Sequence, residues 1–191
     1  GTHVDGSYPF NGSIDDFRIY DHALNEAQIQ ADMGGFEVLD PFAAGLQVHL
    51  DFEPENYVGG QVMNQGSLGP VANGTLGATG SSGEASDPIL VPLVDQAMKF
   101  DGSDDQVVIT GNPKTATGTD DFTTQLWFRT DTTSARQDLF TVGAGAATNE
   151  ASILYIDTGG QVRVDLAFTS GFSAGPIVTD GDWHHAALSY D

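Results

Sequence analysis

Alternation with a period of two is the feature that most restricts this chain. Leu46, Val48, Leu50 and Phe52 fall on one side of an extended segment, with Gln47, His49, Asp51 and Glu53 on the other. Phe122, Thr124, Leu126 and Phe128 repeat the pattern against Gln125, Trp127 and Arg129. Val162, Val164, Leu166 and Phe168 repeat it again. A helix cannot gather such residues on one face, because its facing positions recur at about every three to four residues. Further strands are expected near 96–101, 105–110, 138–143, 151–157 and 183–190. Glycine (24 residues), with Asn, Asp and Ser, punctuates these segments. Many short strands between frequent turns predict an all-β fold, a jelly-roll sandwich of two antiparallel sheets.

One short helix is expected over 25–33. Asn25 can cap a turn running through Glu26, Ala27, Ile29 and Met33, and Leu24 can staple onto Ile29. Gly34-Gly35 stops it, and 35–45, with Pro41, reads as a linker. The stretch 54–95 is loop-rich, and loops on a sandwich often carry binding function. No apolar run approaches the roughly 20 residues a membrane helix needs.

Charge removes further classes. Asp and Glu number 27 against 6 Lys and Arg, a net charge of -21. Nucleic acid needs clustered cations, so it is not an expected partner, and an anionic membrane is disfavoured for the same reason. Solubility in a salty medium or a need for divalent cations would each explain the acidity. The chain has no cysteine, which rules out disulfide bracing, zinc-thiolate sites and a Cys nucleophile.

Four segments carry a family pattern. Leu46-Gln-Val-His-Leu-Asp-Phe-Glu53 resembles the opening strand of laminin-G-like domains of the concanavalin A-like lectin/glucanase superfamily. Ala97-Met-Lys-Phe-Asp-Gly-Ser-Asp-Asp-Gln-Val-Val-Ile109 is similar to their FDG hairpin. Asp121-Phe-Thr-Thr-Gln-Leu-Trp-Phe-Arg129 and Asp182-Trp-His-His-Ala-Ala-Leu-Ser-Tyr-Asp191 resemble two further strands, in family order. Residues 8–24, Tyr-Pro-Phe-Asn-Gly-Ser-Ile-Asp-Asp-Phe-Arg-Ile-Tyr-Asp-His-Ala-Leu, resemble the family's closing strand, yet they come first. The resemblance implies three parts: 1–34 closes one repeat, 35–45 links, and 46–191 is the front and centre of the next, truncated domain.

This order has an energetic consequence. A missing central strand would expose about three inward side chains worth roughly 1.5–3 kcal/mol each. That sum approaches the stability of a whole domain, about 5–15 kcal/mol. The segment 13–20 is therefore expected to fill the closing-strand place through Ile14, Phe17, Ile19 and Tyr20. It would do so beside 46–53 of its own chain or in a neighbouring copy.

Metal-ligand candidates follow. By strict alternation Asp15 shares the inward face with Phe17 and Ile19, and Asp16 shares the outer face with Arg18 and Tyr20. A carboxylate among apolar side chains needs a partner. The resemblance implies calcium as one such partner, with Asp101 beside Asp15, and Asp16 and Asp104 as weaker candidates. Backbone amides at the strand start are the other partner open to Asp15. The run Asp101-Gly-Ser-Asp-Asp105 lacks the downstream Glu and flanking helices of an EF-hand and reads as a hairpin turn. His184 and His185 are adjacent on a strand and face opposite sides, so they do not share a metal. No closely spaced pair of catalytic carboxylates lies along one strand, and no serine sits in a nucleophile elbow. Trp127, Tyr57 and Phe172 are candidates for stacking on sugars. Asn11-Gly-Ser13 and Asn73-Gly-Thr75 fit the glycosylation sequon.

The resemblance implies a noncatalytic extracellular or cell-surface module, from a prokaryotic repetitive protein, that binds carbohydrate or glycoprotein. The alternative is a structural repeat of a surface fibre, joined head to tail by strand complementation, with copies of itself as partners. A glycan hydrolase or lyase accessory role ranks third.

Overall fold

The strand that comes first in the chain lies inside the largest sheet. The computed structural model describes residues 7–33, 45–77, 88–91, 97–113, 120–133, 135–142, 152–166 and 169–191. Strand β1 (Asn11–Tyr20) is followed by helix α1 (Glu26–Met33), β2 (Leu46–Leu50), β3 (Tyr57–Val58), β4 (Gln61–Val62) and β5 (Gly74–Leu76). Next come β6 (Ile89–Val91), β7 (Ala97–Asp101), β8 (Val107–Ile109), β9 (Phe122–Arg129) and β10 (Gln137–Val142). The last four are β11 (Ser152–Ile156), β12 (Gln161–Leu166), β13 (Thr169–Ile177) and β14 (His184–Tyr190).

A six-stranded antiparallel sheet runs β14-β9-β1-β7-β6, with β2 also paired to β1. Strand β1 has β9 along one side. On its other side it has β7 over its first half and β2 over its second. Register is set by side-chain face: Ile14 opposes Phe128, and Ile19 opposes Thr124 and Val48. Gly12 permits the close approach, since a Cβ there would collide with the Arg129 carbonyl oxygen.

The opposing layer consists of two four-stranded sheets, β3-β4-β5-β8 and β10-β11-β12-β13, where a single sheet was expected. One apolar cluster joins all three: Ile14, Phe17, Ile19, Leu126 and Phe128 meet Val62 and Leu76 from one, and Leu139, Leu154 and Ile156 from the other. Strands β8 and β10 form no ladder with each other among the described residues. Between them lies a cavity of about 50 Å³, lined by Val107, Ile109, Leu139 and Phe140 with Ile14 and Phe17 beneath.

The expected helix forms. Gln28 N–H donates to Asn25 Oδ1 (3.0 Å) and Asn25 N–H to Gln28 Oε1 (2.9 Å), a reciprocal capping box. Ile29 packs on Tyr20, Leu24 and Leu46, a second, smaller apolar cluster. The Gly34-Gly35 stop, all of the linker except Gly45, and Phe168 lie outside the described residues. The loop-rich stretch contains β3 to β6, strands of two or three residues. Asn73 is buried and accepts from Asn64 N–H at 2.9 Å, which leaves no room for a glycan. Among the described residues no helix is long and apolar enough to cross a membrane.

Candidate functional site

The outer face of the six-stranded sheet gathers the polar groups. A bulge in β1 makes this possible: the register with β9 shifts between Asp15 and Arg18, and Asp16 has φ 51°. An extra residue there reverses the alternation. Aspartate is among the few residues that tolerate that left-handed backbone. Ile14 and Phe17, three apart, therefore both point into the core. This corrects the expectation that Asp15 faces inward with Phe17 and Ile19. Asp15 pairs with Trp127, on the outer face, and its Oδ1 accepts the Asp16 N–H at 2.7 Å. The reason for placing a cation against a carboxylate in the core is thereby gone.

Asp16 is the hub of one half of this face. Its Oδ2 lies 2.8 Å from Arg18 and its Oδ1 lies 2.7 Å from His49 Nε2. Burial works to raise the Asp16 carboxyl, but the His49 hydrogen bond and the Arg18 charge outweigh it and hold it below its ordinary value. The ionised carboxylate only accepts, so His49 Nε2 carries the proton. Asp32, from α1, is the hub of the other half. It accepts from the Tyr20 hydroxyl and from Gln125 Nε2 (2.7 Å), and Arg18 approaches at 3.7 Å. Burial, then the Asp32 hydrogen bond, pushes the Tyr20 phenol upward. Trp127 lies between these hubs and β14, half-buried, with the His185 ring 5.2 Å away. Burial lowers His185 to about 4, so the imidazole is neutral at neutral pH.

A separate acidic group forms at the turn after β7. Carboxylate oxygens of Asp101, Asp104 and Asp105 all lie within 4.8 Å of one another, a spacing that could hold a metal ion. Asp105 is buried and accepts the Asp101 N–H at 2.7 Å. Burial pushes its carboxyl up, the Asp101 amide opposes, and the charges of Asp101 and Asp104 add to the rise. Of the four candidate ligands, Asp101 and Asp104 come together here, while Asp15 and Asp16 belong to the outer face. Sequence reasoning missed Asp105 as a candidate ligand; its position closing the Asp101–Asp105 turn was the available signal. It also missed Asp32, which carries no motif.

Strand β8 through β14, with Trp127, His185 and the acidic turn, is also where the chain is similar to known proteins. Residues 101–191 match the laminin-G-like family model of the concanavalin A-like lectin/glucanases superfamily. The match covers the laminin-G-like half that supplies Trp127 and the three turn aspartates, and stops short of β1, α1 and β2. No curated protein and no solved structure gives a match. The superfamily's name joins lectins to glucanases. Among the described residues Asp16 is held below its ordinary value, while Asp105 is raised and buried.

In the second half of β1, Phe17 and Ile19 join the main core with Ile14, and Tyr20 joins the cluster under α1. All four act within their own chain, beside β2, β7 and β9. Tyr57 is half-buried on β3, away from Trp127's sheet, and the Phe172 side chain lies outside the described residues.

Proposed function

We propose that this chain is a noncatalytic binding module, exported to a cell surface, that recognises carbohydrate or the glycan of a glycoprotein on the outer face of its six-stranded sheet. One observation carries this reading: a half-buried Trp127 flanked by His185 and Asp15, with the Asp16–His49–Arg18 group one step along β1. An indole face takes the apolar side of a sugar ring, and fixed donors and acceptors beside it take the hydroxyls. Trp127→Ala is expected to weaken binding at least tenfold for any oligosaccharide found on a glycan array, read by titration calorimetry, with the melting temperature nearly unchanged. An array without a single ligand, or a Trp127→Ala variant that binds as tightly, would sink the reading.

Calcium fits as a structural ion at Asp101, Asp104 and Asp105. Because the Asp105 carboxyl is raised in the folded state, it favours folding at low pH, and that contribution disappears as pH rises through its folded value. An ion would offset the repulsion that remains. Calcium alone is expected to raise the melting temperature of the full chain at neutral pH. Asp105→Asn should be at least as stable as wild type in chelator and should gain nothing from calcium. A wild type indifferent to calcium removes this site.

A further inference from the structure

Helix α1 is anchored by little of its own. It spans eight residues, none of them buried, and isolated helices shorter than about 12–15 residues are marginal in water. Its Asp32 sits in the last turn, where a negative charge opposes the helix dipole. Among the described residues two contacts hold it down: Ile29 on the small cluster, and Asp32 in the cradle of Tyr20 and Gln125, with Arg18 further off at 3.7 Å. Under α1 two polar atoms are left over. Arg18 is 7% exposed and Gln125 1% exposed. The two residues are direct partners across β1 and β9. Among the described residues, Arg18 Nε and Gln125 Oε1 have no hydrogen-bond partner. Leaving a buried donor and a buried acceptor unmade costs about 1–3 kcal/mol apiece.

We propose that α1 is a strap closed over a second sugar subsite, formed by Arg18, Gln125 and Tyr20, and that its release extends the binding face beyond Trp127. This rests on the carbohydrate reading above and deepens it. The free donor and free acceptor are the complement of one hydroxyl group, which accepts from Nε–H and donates to Oε1 in the same position. Gln125 Nε2 and the Tyr20 hydroxyl, released from Asp32, serve a neighbouring hydroxyl. The ligand is thus a neutral saccharide with vicinal hydroxyls. A carboxylate sugar would fit where Asp32 sits, but the net charge of -21 opposes its approach. In the closed form the apparent affinity is the open-form affinity reduced by the open fraction. A strap open about one part in ten hides tenfold in affinity.

Asp32→Ala in the full chain is the direct test, with Ile29→Gln as a second variant that loosens α1 without touching the cradle. Hydrogen exchange of the 24–33 amides is expected to accelerate at least about tenfold in both, while β9 and β14 amides keep their protection. A neutral hexose oligosaccharide is expected to bind both variants about tenfold more tightly than wild type, and its uronate counterpart less tightly than the neutral form. Unchanged exchange in both variants overturns the strap. Faster exchange without tighter binding, while wild-type binding still depends on Trp127, overturns the subsite and leaves the carbohydrate reading standing. A preference for the uronate overturns the hydroxyl assignment. Loss of β9 protection in Asp32→Ala but not in Ile29→Gln shifts the decision to Ile29→Gln.

Discussion

Ile19→Ala is expected to destabilise the chain by about 2–5 kcal/mol, enough to remove a large part of a domain's margin of about 5–15 kcal/mol. Ile19 is 0% exposed and lies in the second half of β1, between β2 on one side and β9 on the other. Its loss would open a cavity at the centre of the six-stranded sheet, where the strands on either side are fixed by their own ladders and cannot close in. Val58→Ala is the control: Val58 is 62% exposed and its loss should fall within about 0.5 kcal/mol. Urea unfolding followed by circular dichroism measures both. A cost below about 1 kcal/mol for Ile19→Ala would mean that β1 is not integral to the sheet, and the fold as described would be wrong.

What the sequence made legible were the segments whose side chains alternate cleanly. The expected 122–129 is β9 to the residue, and 46–53 and 162–168 are recovered within a few positions as β2 and β12. Their alternating apolar residues face a core: Leu46, Val48, Leu50, Phe122, Leu126 and Phe128 are buried, and Val162 and Val164 pack half-buried on the main cluster, so local pattern and global packing agree. Strands β3 to β5 were hidden because two or three residues beside Gly59, Gly60 and Gly74 give no period to detect. The bulge was hidden for a different reason. Ile14-Asp15-Asp16-Phe17 is compatible with an unbroken strand until the register with Trp127 and Gln125 is known. One inserted residue then moved Asp15 to the opposite face, which is how a single slip changes the chemistry of a site. Alternation puts Thr123 and Gln125 on the outer face of β9. Thr123 and Gln125 are buried because the 21–24 turn and α1 lie over them, with Leu24 N–H donating to Thr123 Oγ1 at 2.8 Å. No strand pattern reports a covering element that comes from a hundred residues away.

The acidic groups on this face and in the turn make opposite contributions to pH dependence, which lets them be separated. His185→Gln is expected to flatten the stability profile between about pH 7 and pH 4. In the folded chain His185 stays neutral down to about 4, against an ordinary value of 6.5. Between those values the unfolded chain binds the extra proton, so stability falls as pH falls, and it is fully retained above 6.5. The whole loss is at most about 3 kcal/mol, since the ring is only partly buried. Asp16 and Arg18 act on it in opposite directions, and Asp32 sides with Asp16. Asp105 acts with the other sign, gaining stability as its raised carboxyl takes a proton. The His185 slope is therefore read most cleanly in an Asp105→Asn background, where that compensation is absent. Asp16, held below its ordinary value of 3.8, stabilises the fold above that pH and loses this contribution only as pH falls further, which adds to the collapse. If Asp105→Asn and its double variant with His185→Gln unfold with the same pH profile, the imidazole is not held neutral by the fold. The packing of His185 on Trp127 would then have to be redrawn.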